Sequence, residues 1–334
     1  MSDYNVNIYT SGDTLPAGLS DENFFHSPQL FSICRQTPRM RPYMVVVEAA
    51  DGTPLAQMLA VVRYRSSLFP PYLYRHCRVM GEGVYPSPPT NPPSSLIPHH
   101  SALFALMLQK LTSKLGRRML YIEVSNLSQK MFGYKQFREC SYFPVRWMSI
   151  HNSLHSHTPE ERITPKMQRR IDKAYKQGII TDDVQTETDF KAFSKLLRQH
   201  NLLKPKRYIP ADDFFRAIQQ QGNGRLCLTR YHGHIIGCSA VVYSQQQAYL
   251  WYAAFRRKSY ARLHPDLLTV WHAIKTSHSL GYEHIFFMDV GLPFRKNRYR
   301  DFILRFGGKP TSTYRWFRCS IGWINRLLSW IYRD

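Results

Sequence analysis

Acidic side chains are scarce in this 334-residue chain: 23 Asp and Glu stand against 45 Lys and Arg, a formal net charge of +22. Such an imbalance calls for an anionic partner, an anionic surface, or tolerance of self-repulsion. Also missing is any apolar run near the roughly 18 residues of a membrane span. The first residues, MSDYNVNIYTSG, have neither a basic region nor an apolar core, so no secretory signal is expected. Six cysteines (Cys34, Cys77, Cys140, Cys227, Cys238, Cys319) lie far apart with no C-x-x-C pair, which points to a reduced, cytosolic chain. No G-x-S-x-G elbow, phosphate loop or G-x-G-x-x-G fingerprint occurs, against the nucleophile, NTPase and dinucleotide classes those motifs serve. What is present suffices for a folded protein. Hydrophobic residues are 43% and aromatics 14%, enough to build a core and exclude general disorder, and the length suits two domains.

The charge is uneven. Residues 1–150 hold 15 basic and 9 acidic side chains, whereas residues 151–334 hold 30 and 14. Three basic clusters stand out at 166–176, 256–262 and 295–318, and over 295–334 ten cations face only Asp301 and Asp334. The second half is therefore expected to meet the anion.

An internal repeat organises the chain. MVVVEAADGTPLAQMLAVVR and LCLTRYHGHIIGCSAVVYS each place two β-rich runs around a turn, at Asp51-Gly52 and His232-Gly233. Each hairpin is followed by an amphipathic helix ending in Leu-Gly and then by a β-rich run: SALFALMLQKLTSKLG with RRMLYIEVSN, and DLLTVWHAIKTSHSLG with YEHIFFMDVG. Gly116 and Gly281 are expected to close these helices in the left-handed conformation. The first copy has a longer, Pro- and Gly-rich connection over roughly 66–98. Leu103, Leu106, Met107, Leu108 and Leu111 of the first helix read as core.

Between the copies, Thr158-Pro159 and Thr164-Pro165 each pair a capping residue with a proline suited to the first helical position. The second pair predicts a helix closed by Gly178, with Met167, Ile171 and Ala174 inward and Arg169, Arg170, Lys173 and Lys176 outward. Further helices are predicted over 189–200 and 211–221. The expected fold is α+β, with two tandem lobes, each a mixed, mainly antiparallel sheet flanked by helices. The lobes are expected at 1–150 and 179–320, with a linker and basic helix at 151–178 and an amphipathic segment at 321–334.

QRRIDKAYKQG (168–178), YLWYAAFRRKSYARLHPDLLTVWHAI (249–274), IFFMDVGLPFRKNRYRDFILRFGGK (285–309) and FFHSPQLF (24–31) are similar to segments of the two-lobed GNAT-type acyltransferases, which include the Fem-type peptidoglycan-bridge aminoacyltransferases. The similarity covers most of the chain. It implies two GNAT-like lobes, a donor site in the second, acyl-CoA (acetyl-CoA or a longer acyl-CoA) as donor, an amine acceptor, and no metal. The stretch where a one-lobed GNAT has an R/Q-x-x-G-x-G/A loop is Arg256-Arg257-Lys258-Ser259-Tyr260-Ala261-Arg262, which has no glycine; the two-lobed members are similarly glycine-poor there.

Physically, a strand ending at Phe255 and a helix starting near Pro265 would aim backbone N–H groups and a positive dipole at an anion. Arg256, Arg257, Lys258 and Arg262 would add charge-assisted hydrogen bonds, so Phe255 through Arg262 is the predicted donor-phosphate segment. Asp289 ends the apolar run Ile285-Phe286-Phe287-Met288 and is the predicted base or ammonium grip. Lys296, Tyr299 and Arg300 are placed beside it to hold the acceptor, with Glu82 of Gly81-Glu82-Gly83 as a lesser candidate lining an interlobe cleft. His151, His155 and His157 have metal-like spacing in a stretch that reads as linker, and no metal is expected there. The segment Ile321–Tyr332 has the composition of an interfacial helix, suited to packing on the body or to reversible contact with anionic lipid at the inner face of a membrane.

Three activities compete. The first is transfer from acyl-CoA to an amine on a cell-envelope, lipid or small-molecule acceptor. The second is Fem-type transfer from aminoacyl-tRNA to a peptidoglycan precursor. The third is a non-catalytic pair of lobes that binds nucleic acid or membrane through its basic face, with aromatics such as Phe302, Phe306 and Trp316 among the cations.

Overall fold

Long-range contacts divide the chain into two units, residues 1–147 with 312–334, and residues 148–311. A computed structural model describes residues 4–68, 71–85, 100–127, 133–202 and 207–333. The first unit contains β1 (Asn5–Tyr9), α1 (Pro28–Gln36), β2 (Met40–Glu48), β3 (Pro54–Leu68), β4 (Pro71–Met80), α2 (His100–Leu115), β5 (Tyr121–Ser125) and α3 (Tyr134–Glu139). Strand β6 (Phe143–Ser153) carries the chain into the second unit. There follow α4 (Pro165–Lys176), β7 (Ile179–Asp183), α5 (Glu187–Asn201), α6 (Asp212–Gln220), β8 (Gly224–Tyr231), β9 (His234–Ser244), β10 (Gln247–Phe255), α7 (Pro265–Ser279), β11 (His284–Phe287) and α8 (Arg298–Leu304). Strand β12 (Lys309–Cys319) returns it, and α9 (Gly322–Ile331) ends the described chain.

Both lobes have the expected α+β character, and the repeat recurs in their topology. In each, an antiparallel hairpin is extended by a third strand, and a helix then leads to a strand parallel to that third one. The first unit pairs β2 with β3, β3 with β4, and β4 in parallel with β5. The second pairs β8 with β9, β9 with β10, and β10 in parallel with β11. Two positive-φ residues, His232 (φ 46) and Gly233 (φ 76), make the second hairpin turn, as a two-residue loop requires. The long connection expected over 66–98 contains β4; residues 69–70 and 86–99 of it lie outside the described residues.

Local signals set the helices. The Thr164 hydroxyl accepts from the Met167 amide, Pro165 fills the first position of α4, and Met167, Ile171 and Ala174 are buried as their spacing requires. Thr186 and Asp189 form a reciprocal capping box at the start of α5. Gly281 has the expected left-handed backbone (φ 81), but Gly116 does not. Gly116 is small for another reason: a Cβ there would run into the Arg318 guanidinium, which donates to the Gly116 carbonyl at 3.0 Å.

In the first unit, Leu103, Phe104, Met107, Leu108 and Leu111 of α2 pack on Val45, Met58, Val62, Val79 and Ile122 of the sheet. Each such side chain contributes about 1.5–3 kcal/mol by leaving water. In the second, α4 and α7 share one core with β9, β10 and β11. Gly237 in β9 lets α7 approach closely: a Cβ would strike the Thr269 hydroxyl, which is bonded to Thr229 across the sheet–helix interface at 2.8 Å. That contact fixes the height at which α7 begins.

The first unit also buries charge. Arg63, Arg65, His76, Arg78 and Glu123 are all under a tenth exposed. Glu123 collects Arg315 at 3.0 Å and Arg78 at 3.5 Å, and accepts from the Ser125 hydroxyl at 2.7 Å. Burial lowers the His76 imidazole to about 3, with Arg63 adding to the effect and Glu123 opposing it. The unfolded chain therefore takes up a proton below about pH 6.5 that the folded chain refuses until about pH 3. Stability should fall as pH drops through that window, by up to about 1.4 kcal/mol per pH unit from this group. Urea unfolding at pH 7, 6 and 5 should show the decline, and His76→Gln should flatten it. An unchanged slope in His76→Gln would assign the acid sensitivity elsewhere.

Candidate active site in the second unit

Strands β10 and β11 run parallel from Gln247–His284 to Leu250–Phe287 and then separate. The Met288 amide makes the last link, donating to the Leu250 carbonyl at 3.2 Å. β10 continues to Phe255 on β9 alone, with a register shift at Trp251. Such a bulge bends the strand and re-aims its backbone groups. The Trp251 carbonyl accepts from the Arg207 guanidinium at 2.7 Å.

At the end of β11, half-buried Asp289 adopts a left-handed backbone (φ 60). It neighbours Tyr299 in the first turn of α8. Burial pushes the Tyr299 phenol up to about 12; Arg207 opposes that shift and Asp289 adds to it. Arg207 also lies 5.4 Å over the Tyr252 ring, and the Tyr252 hydroxyl donates to the Tyr208 carbonyl at 3.3 Å. Asp289, Tyr299, Arg207 and Tyr252 thus form one cluster where the strands part. Arg207 and Tyr252 escaped the sequence reading, although Tyr252 lies in the quoted strand YLWYAAF.

The loop before α8 is held by its own side chains. Asn297 caps the helix, accepting from the Tyr299 and Arg300 amides and donating to the Val290 carbonyl at 2.7 Å. Arg300, expected to bind an acceptor, donates instead to the Leu292 and Arg295 carbonyls at 2.6 and 2.8 Å. Its guanidinium is engaged in shaping the loop. Lys296 is exposed on that loop. Glu82 belongs to the first unit, at the turn after β4, where its carbonyl accepts from the Tyr85 hydroxyl at 2.7 Å.

A cavity of about 450 Å³ opens beside the start of α7. Lys166 and Arg170 of α4, Arg257 of the loop after β10, and Arg305 after α8 bring four cations to its wall. Met167, Leu267 and Phe302 supply apolar surface, and His264 and Asp266 stand at the helix start. All three basic clusters therefore reach a single cavity, the first through two residues and the others through one each. Of the predicted segment 255–262, only Arg257 lines it. Arg256, Lys258, Ser259, Ala261 and Arg262 are exposed, Tyr260 packs on the core, and the Phe255 carbonyl lies 3.2 Å from Nδ1 of His200.

The expected ring of free backbone donors also differs. The Arg256 amide donates to Ile236 of β9 at 2.8 Å, Pro265 has no N–H, and the Leu267 amide donates to the Asp266 carboxylate at 3.0 Å. Asp266 also pairs with Arg257 at 3.3 Å. The positive end of α7 is thus partly answered from within, and side-chain cations carry the site's charge.

His151 and His155 pack edge-on to the His284 ring, and His157 pairs with Glu161 at 3.4 Å. Among the described residues, the group with metal-ligating types close together is Asp183, Cys227 and His272, with ligand atoms within 4.8 Å of one another. Asp183 and Cys227 face each other across β7 and β8. The Cys227 thiol donates to Asp183 at 3.4 Å, and burial pushes it well above its ordinary pKa, while Arg225 takes the other carboxylate oxygen at 3.1 Å. A metal would have to displace that proton and compete with Arg225.

Residues 164–299 match the family described as acetyltransferase (GNAT) domain. This part of the chain is a GNAT acyltransferase domain. It runs from the α4 cap, Thr164, to Tyr299, taking in Lys166, Arg170, Arg257 and the Asp289–Tyr299 pair. Enzymes of this kind take an acyl donor and an amine acceptor. Among solved structures, FemX aligns over 92% of this chain and 94% of its own, at 8% identity and a TM-score of 0.59. L-PGS from Bacillus licheniformis aligns over 91% and 93%, at 11% identity and 0.57. A tandem GNAT protein from the clavulanic acid biosynthesis pathway aligns over 96% and 99%, at 10% identity and 0.51. At these identities the likeness is one of fold. No curated protein matches the chain by sequence.

Proposed function

We propose that this GNAT-like acyltransferase moves an acyl group from acyl-CoA to an amine on a cell-envelope or lipid precursor. The observation that carries the reading is the convergence of Lys166, Arg170, Arg257 and Arg305 on one cavity at the start of α7. Four cations against Asp266 suit the clustered phosphates of a nucleotide-bearing donor. The gap between β10 and β11 offers the thioester a path toward the Asp289–Tyr299 cluster. In the reaction the amine nitrogen attacks the thioester carbonyl, a C–N bond forms and the C–S bond breaks. Asp289 holds the ammonium and accepts its proton, directly or through water. Tyr299, kept protonated by burial, donates a proton to the departing thiolate.

A second reading, Fem-type transfer from aminoacyl-tRNA to a peptidoglycan precursor, is favoured by the likeness of fold to FemX over 92% of the chain. Thermal shift separates the two. Acetyl-CoA or CoA at a hundred times its dissociation constant should stabilise the chain by about 2.7 kcal/mol, and the shift should survive moderate salt. A response specific to charged tRNA, with none to CoA, would favour the second reading. Polyanion binding that disappears with salt and shows no preference for CoA would overturn the first.

A further inference from the structure

Helix α9 is built inside out. Its one buried residue is polar: Asn325 accepts from the Cys319 amide at 2.8 Å and donates to the Ser141 carbonyl at 2.9 Å. Just beyond the helix, Tyr332 stacks on Phe143 with centroids 5.8 Å apart. These contacts pin one face to the first unit. The opposite face is apolar and open: Trp323 is 65% exposed, Leu327 47%, Trp330 67% and Ile331 54%. Ile321 and Leu120 extend the patch, with the Ser320 amide donating to the Leu120 carbonyl at 3.2 Å. An amphipathic helix ordinarily turns such side chains to the core. Rolling α9 to do so would break both Asn325 bonds and leave a buried amide unpaired.

The surroundings say what covers this face. Arg318, Arg326 and Arg333 accompany it, Arg117 and Arg118 follow the Gly116 carbonyl that Arg318 holds, and no acidic residue occurs between Asp301 and Asp334. Paired tryptophans beside arginines suit the headgroup boundary of a bilayer. A second copy of the chain would set these arginines against their own counterparts, an unfavourable meeting of like charges. Ten residues are too few to span a bilayer, and no helix among the described residues is long and apolar enough to cross one. We infer that α9 is a docking helix that lies in the surface of an anionic phospholipid bilayer, with Trp323, Leu327, Trp330 and Ile331 inserted among the acyl chains.

The inference stands apart from the acyl-transfer reading, because its test needs no turnover. The full chain is mixed with vesicles of phosphatidylcholine containing a quarter phosphatidylglycerol, and with phosphatidylcholine alone, at about 0.15 M salt. Sedimentation should show binding to the anionic vesicles that is at least about tenfold weaker for Trp323→Glu/Trp330→Glu and for phosphatidylcholine alone. Circular dichroism and the thermal midpoint check that the variant is folded. Brominated acyl chains should also quench the unmodified chain and not the variant, which keeps buried Trp251, Trp271 and Trp316 and half-buried Trp147 but loses the two exposed tryptophans of α9. Equal binding by the folded variant, or binding without quenching, would overturn the inference. So would a dimer seen by light scattering that the variant loses while no lipid binding is found, which would give the face to a second copy.

Discussion

Asp289→Asn is expected to lower the turnover of acyl transfer by roughly a hundred- to a thousandfold, the usual worth of a positioned proton acceptor. The substitution tests charge and almost nothing else. Asp289 has a left-handed backbone (φ 60), which Asp and Asn both tolerate, and the two side chains have the same shape. The thermal midpoint should therefore move by no more than a few degrees. A second consequence concerns Tyr299. Because the Asp289 charge raises the Tyr299 phenol, its loss should let that phenol titrate lower. CoA release from acetyl-CoA with a primary amine, followed against pH, reads both effects. Unchanged turnover in a folded Asp289→Asn variant would remove Asp289 from the site.

Reversing two cavity cations, Lys166→Glu with Arg170→Glu, should raise the KM for acyl-CoA by roughly a hundred- to ten-thousandfold with little change in kcat. Charge-assisted hydrogen bonds contribute about 1.5–3 kcal/mol each, and two are removed together. Neither lysine nor arginine is part of the core: both are exposed, while Met167 between them is buried. Changes at such positions usually shift stability by less than about 0.5 kcal/mol. Glutamate at 166 would even suit the first turn of α4, near the positive end of its dipole. The affected parameter separates the two variants, since Asp289→Asn acts on kcat and the cavity pair on KM. An unaltered KM would show that the donor's phosphates lie elsewhere.

Much of the architecture was readable without coordinates. Both hairpin turns, both Leu-Gly helix ends and the Thr164-Pro165 start of α4 are local signals, written within a few residues of the structure they make. The capping box of α5 at Thr186 and Asp189 escaped the sequence reading, and the helix predicted there starts two residues late. Strand β4 was harder, because its buried positions include His76 and Arg78, and polar residues disguise a strand whose neighbours are to be charged partners. Gly116 misled for a similar reason. A glycine after a helix usually marks handedness, but here it marks the space taken by Arg318, some 200 residues away in sequence.

The scarcity of acid in this chain, apparent from composition alone, says that an anion or an anionic surface belongs somewhere on it. Sequence also locates that charge in three clusters and orders two α+β repeats around them, because periodicity, caps and turns act over short distances. Only the tertiary structure decides which cations meet. Lys166, Arg170, Arg257 and Arg305 come together because α4, α7 and α8 share one core, while Arg256, Lys258 and Arg262 of the most conspicuous cluster remain in solvent. It likewise sets Asp266 against the start of α7 and spends Arg300 on its own loop. In α9 it turns Asn325 inward and the tryptophans outward. Composition supplies the groups, and packing over long sequence separations determines which of them face a ligand.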